Sequence, residues 1–127
     1  MAGDHARGVA RHPQDPETFL RSKLDWSELE DGRHARLLDV YRQLAVLRQE
    51  RPELTDPSFA HNACLVDEDA RLFEMWRGDL HVVVNFGDAE VVIELDDEGE
   101  LLFETESGVD LVGTTLTVPP HAGAVIA

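Results

Sequence analysis

The chain has 127 residues, one cysteine and a formal net charge of −15. This length can bury one hydrophobic core, and a single cysteine excludes an intrachain disulfide and a cysteine-based metal site. Residues 52–127 hold two arginines against seventeen acids, whereas residues 1–51 are neutral. Because such an acidic surface repels phosphate backbones, we expect no nucleic-acid partner.

The acidic surface has two explanations. The simpler one is solubility, and the alternative is recruitment of a basic partner. No stretch approaches the ~20 apolar residues of a membrane span, and the first residues carry no apolar run of signal-peptide length. We therefore expect a cytoplasmic protein with no membrane partner.

The first part of the chain has no regular pattern. Residues 1–12 are mixed and polar, which predicts a disordered leader. Residues 13–31 begin with two prolines three positions apart, which favour extended backbone before each ring. Phe19, Leu24 and Trp26 are spaced too irregularly for a strand or a long helix. We expect a loop here, pressed against an apolar surface.

One long helix is predicted over residues 33–51. Ser27 and Glu30 have the spacing of a capping box, Asp31 is a second possible cap, and Pro52 ends the helix. The apolar stripe at helical spacing consists of Leu37, Leu38, Tyr41, Leu44 and Ala45, widened by Val40, Val46 and Leu47. This stripe covers more than half of the circumference, which is typical of a helix buried on several sides.

Beyond residue 58, short apolar runs alternate with turn residues at intervals of ~8–12 residues, which predicts an antiparallel β-sandwich. The predicted strands are 63–66, 72–76, 80–86, 91–95, 101–103, 111–112, 116–118 and 123–126. The strand at 80–86 is the expected centre, with Val84 on the core face and His81 half-exposed on the other. Asn85 is expected to satisfy turn backbone. The predicted fold is mainly β, preceded by one long helix.

No catalytic or metal-binding constellation stands out. The six histidines make no H-E-x-x-H pair, and the acidic runs at 67–69 and 96–98 are explained more simply as solvated turns. His61 and Cys64 are three apart, so a Cys–His nucleophile pair is conceivable; a small buried cysteine entering a strand is the simpler interpretation. We expect no catalytic residue, no metal and no cofactor.

Four stretches carry a resemblance to a known family. Residues 13–26 (PQDPETFLRSKLDW) and 34–54 (HARLLDVYRQLAVLRQERPEL) resemble the end of the malto-oligosyltrehalose trehalohydrolases, in the α-amylase superfamily of glycoside hydrolases. Residues 82–88 (VVVNFGD) and 116–126 (LTVPPHAGAVI) resemble the C-terminal β-domain found across that superfamily. The resemblance covers nearly all of the chain.

The resemblance implies a division of the chain. Residues 13–57 would be a loop and the last helix of a (β/α)₈ barrel that is missing here, and residues 58–127 a C-terminal β-sandwich. The family cleaves the bond that joins trehalose to a malto-oligosaccharide, with carboxylates at the ends of earlier barrel strands. No position in this chain matches one of them. The implied role is therefore non-catalytic support of the barrel.

The resemblance also suggests substrate-adjacent residues and partners. Asp15, Phe19 and Trp26 would line the sugar cleft, although the interpretation that they only fasten the loop to the barrel is favoured. The partner would be the missing barrel, or a second copy bound through the helix at 33–51. Two rival hypotheses are the C-terminal domain of a glycogen branching enzyme and a free-standing acidic β-sandwich binding module, for which Trp76 is the candidate sugar platform.

Overall fold

The computed structural model describes residues 15–127. The predicted disordered leader, residues 1–12, lies outside the described residues. The described residues divide into two compact units, with the boundary between Ala35 and Arg36. The domain boundaries that the resemblance implies, after residues 12 and 57, stay predictions.

In the first unit, the segment predicted to be a loop contains a two-turn helix, α1, over Pro16–Ser22. The side chain of Asp15 caps it by accepting a hydrogen bond from the Glu17 amide at 2.9 Å. The expectation of a loop is wrong at these residues because a proline restrains the residue before it but fits well at the first helical position.

Ser27 and Glu30 do not form the predicted capping box. Both lie in a 3₁₀ turn, Trp26–Glu30, which is capped by Asp25. The Asp25 carboxylate accepts hydrogen bonds from the Ser27 hydroxyl at 2.6 Å and the Ser27 amide at 3.0 Å. These two bonds, the hydroxyl bond first, lower the pKa of Asp25 below its ordinary value.

The long helix, α2, spans Gly32–Glu50 and agrees with the predicted helix to within one residue at each end. A short 3₁₀ turn, Pro52–Leu54, follows it. Pro52 therefore stands directly after the helix, where its missing N–H removes no helical hydrogen bond.

Eight antiparallel strands form two sheets that pack as a sandwich, which confirms the predicted fold class. The strands are β1 (Asn62–Asp67), β2 (Leu72–Arg77), β3 (Leu80–Asn85), β4 (Val91–Glu94), β5 (Leu101–Glu104), β6 (Asp110–Val112), β7 (Thr115–Val118) and β8 (Ala122–Ile126). The large sheet has the order β1-β2-β3-β8-β5, and the small sheet has the order β4-β7-β6. β3 is the central strand, as predicted.

The two faces of β3 differ from the prediction. Val83 is fully buried in the core between the sheets, together with Leu116 and Val118 of β7. Leu80, on the opposite face, is also fully buried, in a second core that includes Leu47 of α2. The predicted assignment of a single core face is wrong because the large sheet is covered on both sides.

Asn85 ties the end of β3 to two loops, which confirms its predicted role. Its amide nitrogen donates to the carbonyls of Ala89 at 2.8 Å and Pro119 at 3.0 Å, and lies 3.2 Å from that of Val118. Its carbonyl oxygen accepts from the Gly87 amide at 2.8 Å. A fully buried amide is stable here because its donor and acceptor are both engaged.

Candidate functional site

The first candidate site is an apolar strip on α2 that the sandwich leaves uncovered, formed by Leu37, Tyr41 and Leu44. We call it the outer helix face. The exposed fractions of these residues are 55%, 66% and 37%. They lie at positions i, i+4 and i+7, so they form one row along the helix.

The sandwich covers a different row of α2. Leu47 is buried there, and Val40 packs against the same core beside Phe103 of β5. At 100° per residue, this row lies roughly a fifth of a turn away from the outer helix face. The helix therefore has two apolar rows, and the described chain buries one.

An ion pair helps to set which row faces the sheet. The Arg36 guanidinium pairs with the Glu106 carboxylate and donates to the Thr105 carbonyl at 3.1 Å. In an amphipathic-helix analysis, Arg36 falls on the solvent side, yet here it reaches the loop after β5. Such a contact between distant segments is not visible in helical periodicity.

The three residues predicted to lie near a sugar belong to the first unit. Asp15 caps α1, Phe19 lies on α1, and Trp26 begins the following 3₁₀ turn. Phe19 is 69% exposed and Trp26 is 71% exposed. The hypothesis that they line a sugar cleft stays a prediction.

The second candidate site is a cleft of about 480 Å³ in the second unit, which we call the Trp76 cleft. The ring of Trp76 stacks on the ring of His81, with centroids 4.5 Å apart and planes 14° apart. His81 Nε2 lies 2.8 Å from Oε2 of Glu74, so the imidazole donates to this carboxylate. The side chains of Glu74 and His81 are 8% and 12% exposed.

The prediction that His81 is half-exposed is therefore wrong, and the sequence analysis did not single out Glu74. The usable signal was Gly78-Asp79 between two apolar runs, a pair that suits a two-residue hairpin loop. That loop sets Trp76 opposite His81 and Glu74 opposite Val83, as observed. Residues that face each other across a strand pair share one side of the sheet.

The charges that line the Trp76 cleft all have the same sign. Its carboxylates are Glu74, Asp79, Glu94, Asp96, Asp97 and Glu98, and no lysine or arginine lines it within the described chain. Glu94 accepts hydrogen bonds from the Thr115 hydroxyl at 3.0 Å and the Thr114 hydroxyl at 3.3 Å. The 96–98 run, predicted to be a solvated turn, thus forms one wall of the cleft.

Other predicted or conceivable sites can be located too. Cys64 is exposed on β1, so the interpretation of a small buried cysteine is wrong. Among residues 15–127, no three His, Cys, Asp or Glu side chains are grouped so that they could hold a metal ion. Within the same residues, no helix has the length and apolarity to cross a membrane.

The β-sandwich with a preceding helix places the chain in a class shared with α-amylase-like structures. The chain belongs to the family described as "Domain of unknown function (DUF3459)", which matches residues 57–125. A malto-oligosyltrehalose trehalohydrolase of Rhizobium sp. (strain M-11) is 48% identical over 93% of this chain. The enzyme of that name from Brevibacterium helvolum is 44% identical over 93% of the chain.

The chain spans only 20% of the length of each of these two relatives. A crystal structure of a proposed alpha amylase from Salmonella typhimurium is similar to this chain, with a TM-score of 0.69 and 26% identity. The match covers 98% of this chain and 21% of the amylase chain. The trehalose-6-phosphate hydrolase of Bacillus licheniformis matches 68% of the chain with a TM-score of 0.53 and 20% identity, which supports the fold alone. The matches fit a C-terminal fragment of an α-amylase-like enzyme.

Proposed function

We propose that the chain is the non-catalytic C-terminal part of a glycoside hydrolase that releases trehalose from maltooligosyl-trehalose. In this proposal, α2 is the last helix of the catalytic barrel and the sandwich supports it from one side. The outer helix face then packs against the rest of the barrel.

The outer helix face is the observation that carries the proposal. Leu37, Tyr41 and Leu44 are large apolar residues in one row, and burying each of them is worth ~1.5–3 kcal/mol. A contiguous exposed row of this kind marks an interaction surface. A barrel helix needs such a second apolar row because it packs against barrel strands and neighbouring helices.

The relatives support the choice of parent enzyme. The two relatives whose matches cover 93% of the chain are both named malto-oligosyltrehalose trehalohydrolase. Each is about five times as long as the matched segment. These names favour a trehalohydrolase over a glycogen branching enzyme as the parent. We also propose a role in trehalose biosynthesis and a cytoplasmic location. The free thiol of Cys64, the single cysteine of the chain, is consistent with a reducing compartment.

A chimera tests the proposal. The segment of the Rhizobium enzyme that matches this chain is replaced by this chain, and trehalose release and the midpoint of thermal unfolding are measured. We expect an active chimera. The triple variant Leu37→Glu, Tyr41→Glu, Leu44→Glu should lose several degrees of thermal stability and most of its activity, because it places three carboxylates against the barrel.

The matched control is Val92→Glu with Val112→Glu. Both valines lie on the small sheet, 60% and 67% exposed, so they add charge to exposed apolar positions away from α2. This control should leave the chimera unchanged. A triple variant that is as stable and active as its parent would show that nothing packs on the outer helix face.

A further inference from the structure

The Trp76 cleft has no part in the support role proposed above, and its construction is unusual for a β-sandwich. Glu74 is buried on the face of the large sheet that looks toward the core between the sheets. Burying a carboxylate is unfavourable unless its oxygens are compensated. His81 compensates Oε2. No hydrogen bond to Oε1 is found within residues 15–127, and Oε1 is not among the described atoms that are buried without a partner, so it is open to the cleft that Glu74 lines.

The aromatic wall adds a second, independent feature. His81 covers part of the Trp76 ring by stacking, yet Trp76 remains 37% exposed and lines the cleft. An indole ring that is accessible beside carboxylates is the preferred environment for a cation, and a planar guanidinium both stacks on the ring and pairs with a carboxylate.

The size and charge of the cleft narrow the class of ligand. A volume of about 480 Å³ lies in the range of small-molecule sites. Six carboxylates line it, and within the described chain no lysine or arginine does. A cleft lined by one sign of charge concentrates ligands of the opposite sign. A neutral sugar would stack on Trp76 but would leave these charges unbalanced. A bare metal ion is disfavoured because no three ligand side chains converge within residues 15–127.

We propose that the Trp76 cleft binds an organic cation, with a guanidinium or alkylammonium group held between the Trp76 ring and Oε1 of Glu74. The exposed acids of the 96–98 turn attract the cation to the cleft. The cation is either a free small molecule or a basic side chain of another protein segment, since both present the same charged group.

An NMR titration of the full chain at about 0.15 M salt tests this proposal. The probes are N-acetyl-arginine methylamide, the citrulline analogue that has the same shape without the charge, a peptide with one arginine, and maltotriose. We expect the arginine probe to shift the indole N–H of Trp76 and the amides of residues 96–99. The indole N–H of Trp26 serves as the internal reference. The citrulline analogue should bind at least about tenfold more weakly.

Two charge variants provide a matched pair. Asp97→Asn removes one charge from the cleft and should weaken binding of the arginine probe about two- to fivefold. Asp69→Asn removes the same charge from the β1–β2 turn, at the far end of β2 from Trp76, and should change nothing. Trp76→Leu should abolish the interaction while the spectrum of the remaining strands is retained.

The results of the titration distinguish a free cation from a basic side chain of a protein segment, and they show whether the cleft binds a cation at all. Binding of the small arginine probe supports a site sufficient for a free cation, and binding of the peptide alone identifies a protein segment as the source. Equal binding of the arginine and citrulline probes, equal effects of Asp97→Asn and Asp69→Asn, binding of maltotriose alone, or no binding of any probe would overturn the proposal.

Discussion

At the scale of single residues, Asn85 is a strong local determinant of the fold. One side chain connects β3, the following turn and the end of β7 through its amide donor and its carbonyl acceptor. The bond to the Val118 carbonyl is buried and those to Ala89 and Pro119 are partly buried, so these carbonyls depend on this donor. Removing it leaves buried acceptors without a partner, which costs more than the bond itself contributes.

Asn85→Ala should therefore lower the free energy of unfolding by about 2–4 kcal/mol. Asn62→Ala, at the start of the edge strand β1, is the matched control and should cost less than about 0.5 kcal/mol. Urea denaturation followed by circular dichroism gives both values. Equal losses would mean that the loops are held by contacts other than the Asn85 amide.

The strands could be predicted from the sequence, but the side of β3 that faces the core could not. The turn residues and apolar runs predicted all eight strands, because Gly and Asp turns and period-two alternation are local properties. They did not predict which face of β3 carries the core, because Leu80 and Val83 are buried on opposite sides. A strand covered on both faces has no alternation to show which side is inside.

At the scale of elements, the sequence predicted the bounds of α2 correctly but did not predict which side of α2 faces the sheet. Its bounds follow from apolar spacing and Pro52, both of which are visible in the sequence. The rotation of α2 about its axis cannot be predicted in this way, because the helix has two apolar rows. Which row faces the sheet depends on Leu80, Phe103 and Glu106, which lie far along the chain. The Trp76 cleft was missed for a similar reason, since it needs both the β2–β3 register and the position of the 96–98 turn.

The outer helix face predicts the behaviour of the isolated chain. With no barrel to cover Leu37, Tyr41 and Leu44, we expect self-association, most simply as a twofold dimer through α2. The Leu37→Glu, Tyr41→Glu, Leu44→Glu variant should shift the chain toward monomer and keep its strands folded.

Light scattering gives the mass, and circular dichroism shows whether the strands are retained. Val92→Glu with Val112→Glu adds charge elsewhere and should leave the mass unchanged. A wild-type chain that stays monomeric at high concentration, with α2 folded, would contradict the idea that this face needs a partner.

At the scale of the whole molecule, the chain should release no trehalose by itself. The resemblance to the malto-oligosyltrehalose trehalohydrolases implies that their catalytic carboxylates lie at the ends of earlier barrel strands, and no residue of this chain matches them. The measurement is trehalose release from maltooligosyl-trehalose by the purified chain over hours, with the Rhizobium relative as the active control. Sustained turnover that survives repurification would contradict the proposed non-catalytic role.

The position of β8 has a consequence for how the molecule is made. Residues 122–126 lie between β3 and β5, and every one of them is buried. Because synthesis runs from the N-terminus, β1 to β7 are made before β8, the strand that joins β5 to the rest of the large sheet. Until β8 arrives, β3 and β5 each present an unpaired edge and an open core, which is the kind of surface that chaperones and proteases recognise. A chain that ends before residue 122 should therefore keep both edges exposed and should be degraded or bound by chaperones more readily than a chain that includes β8.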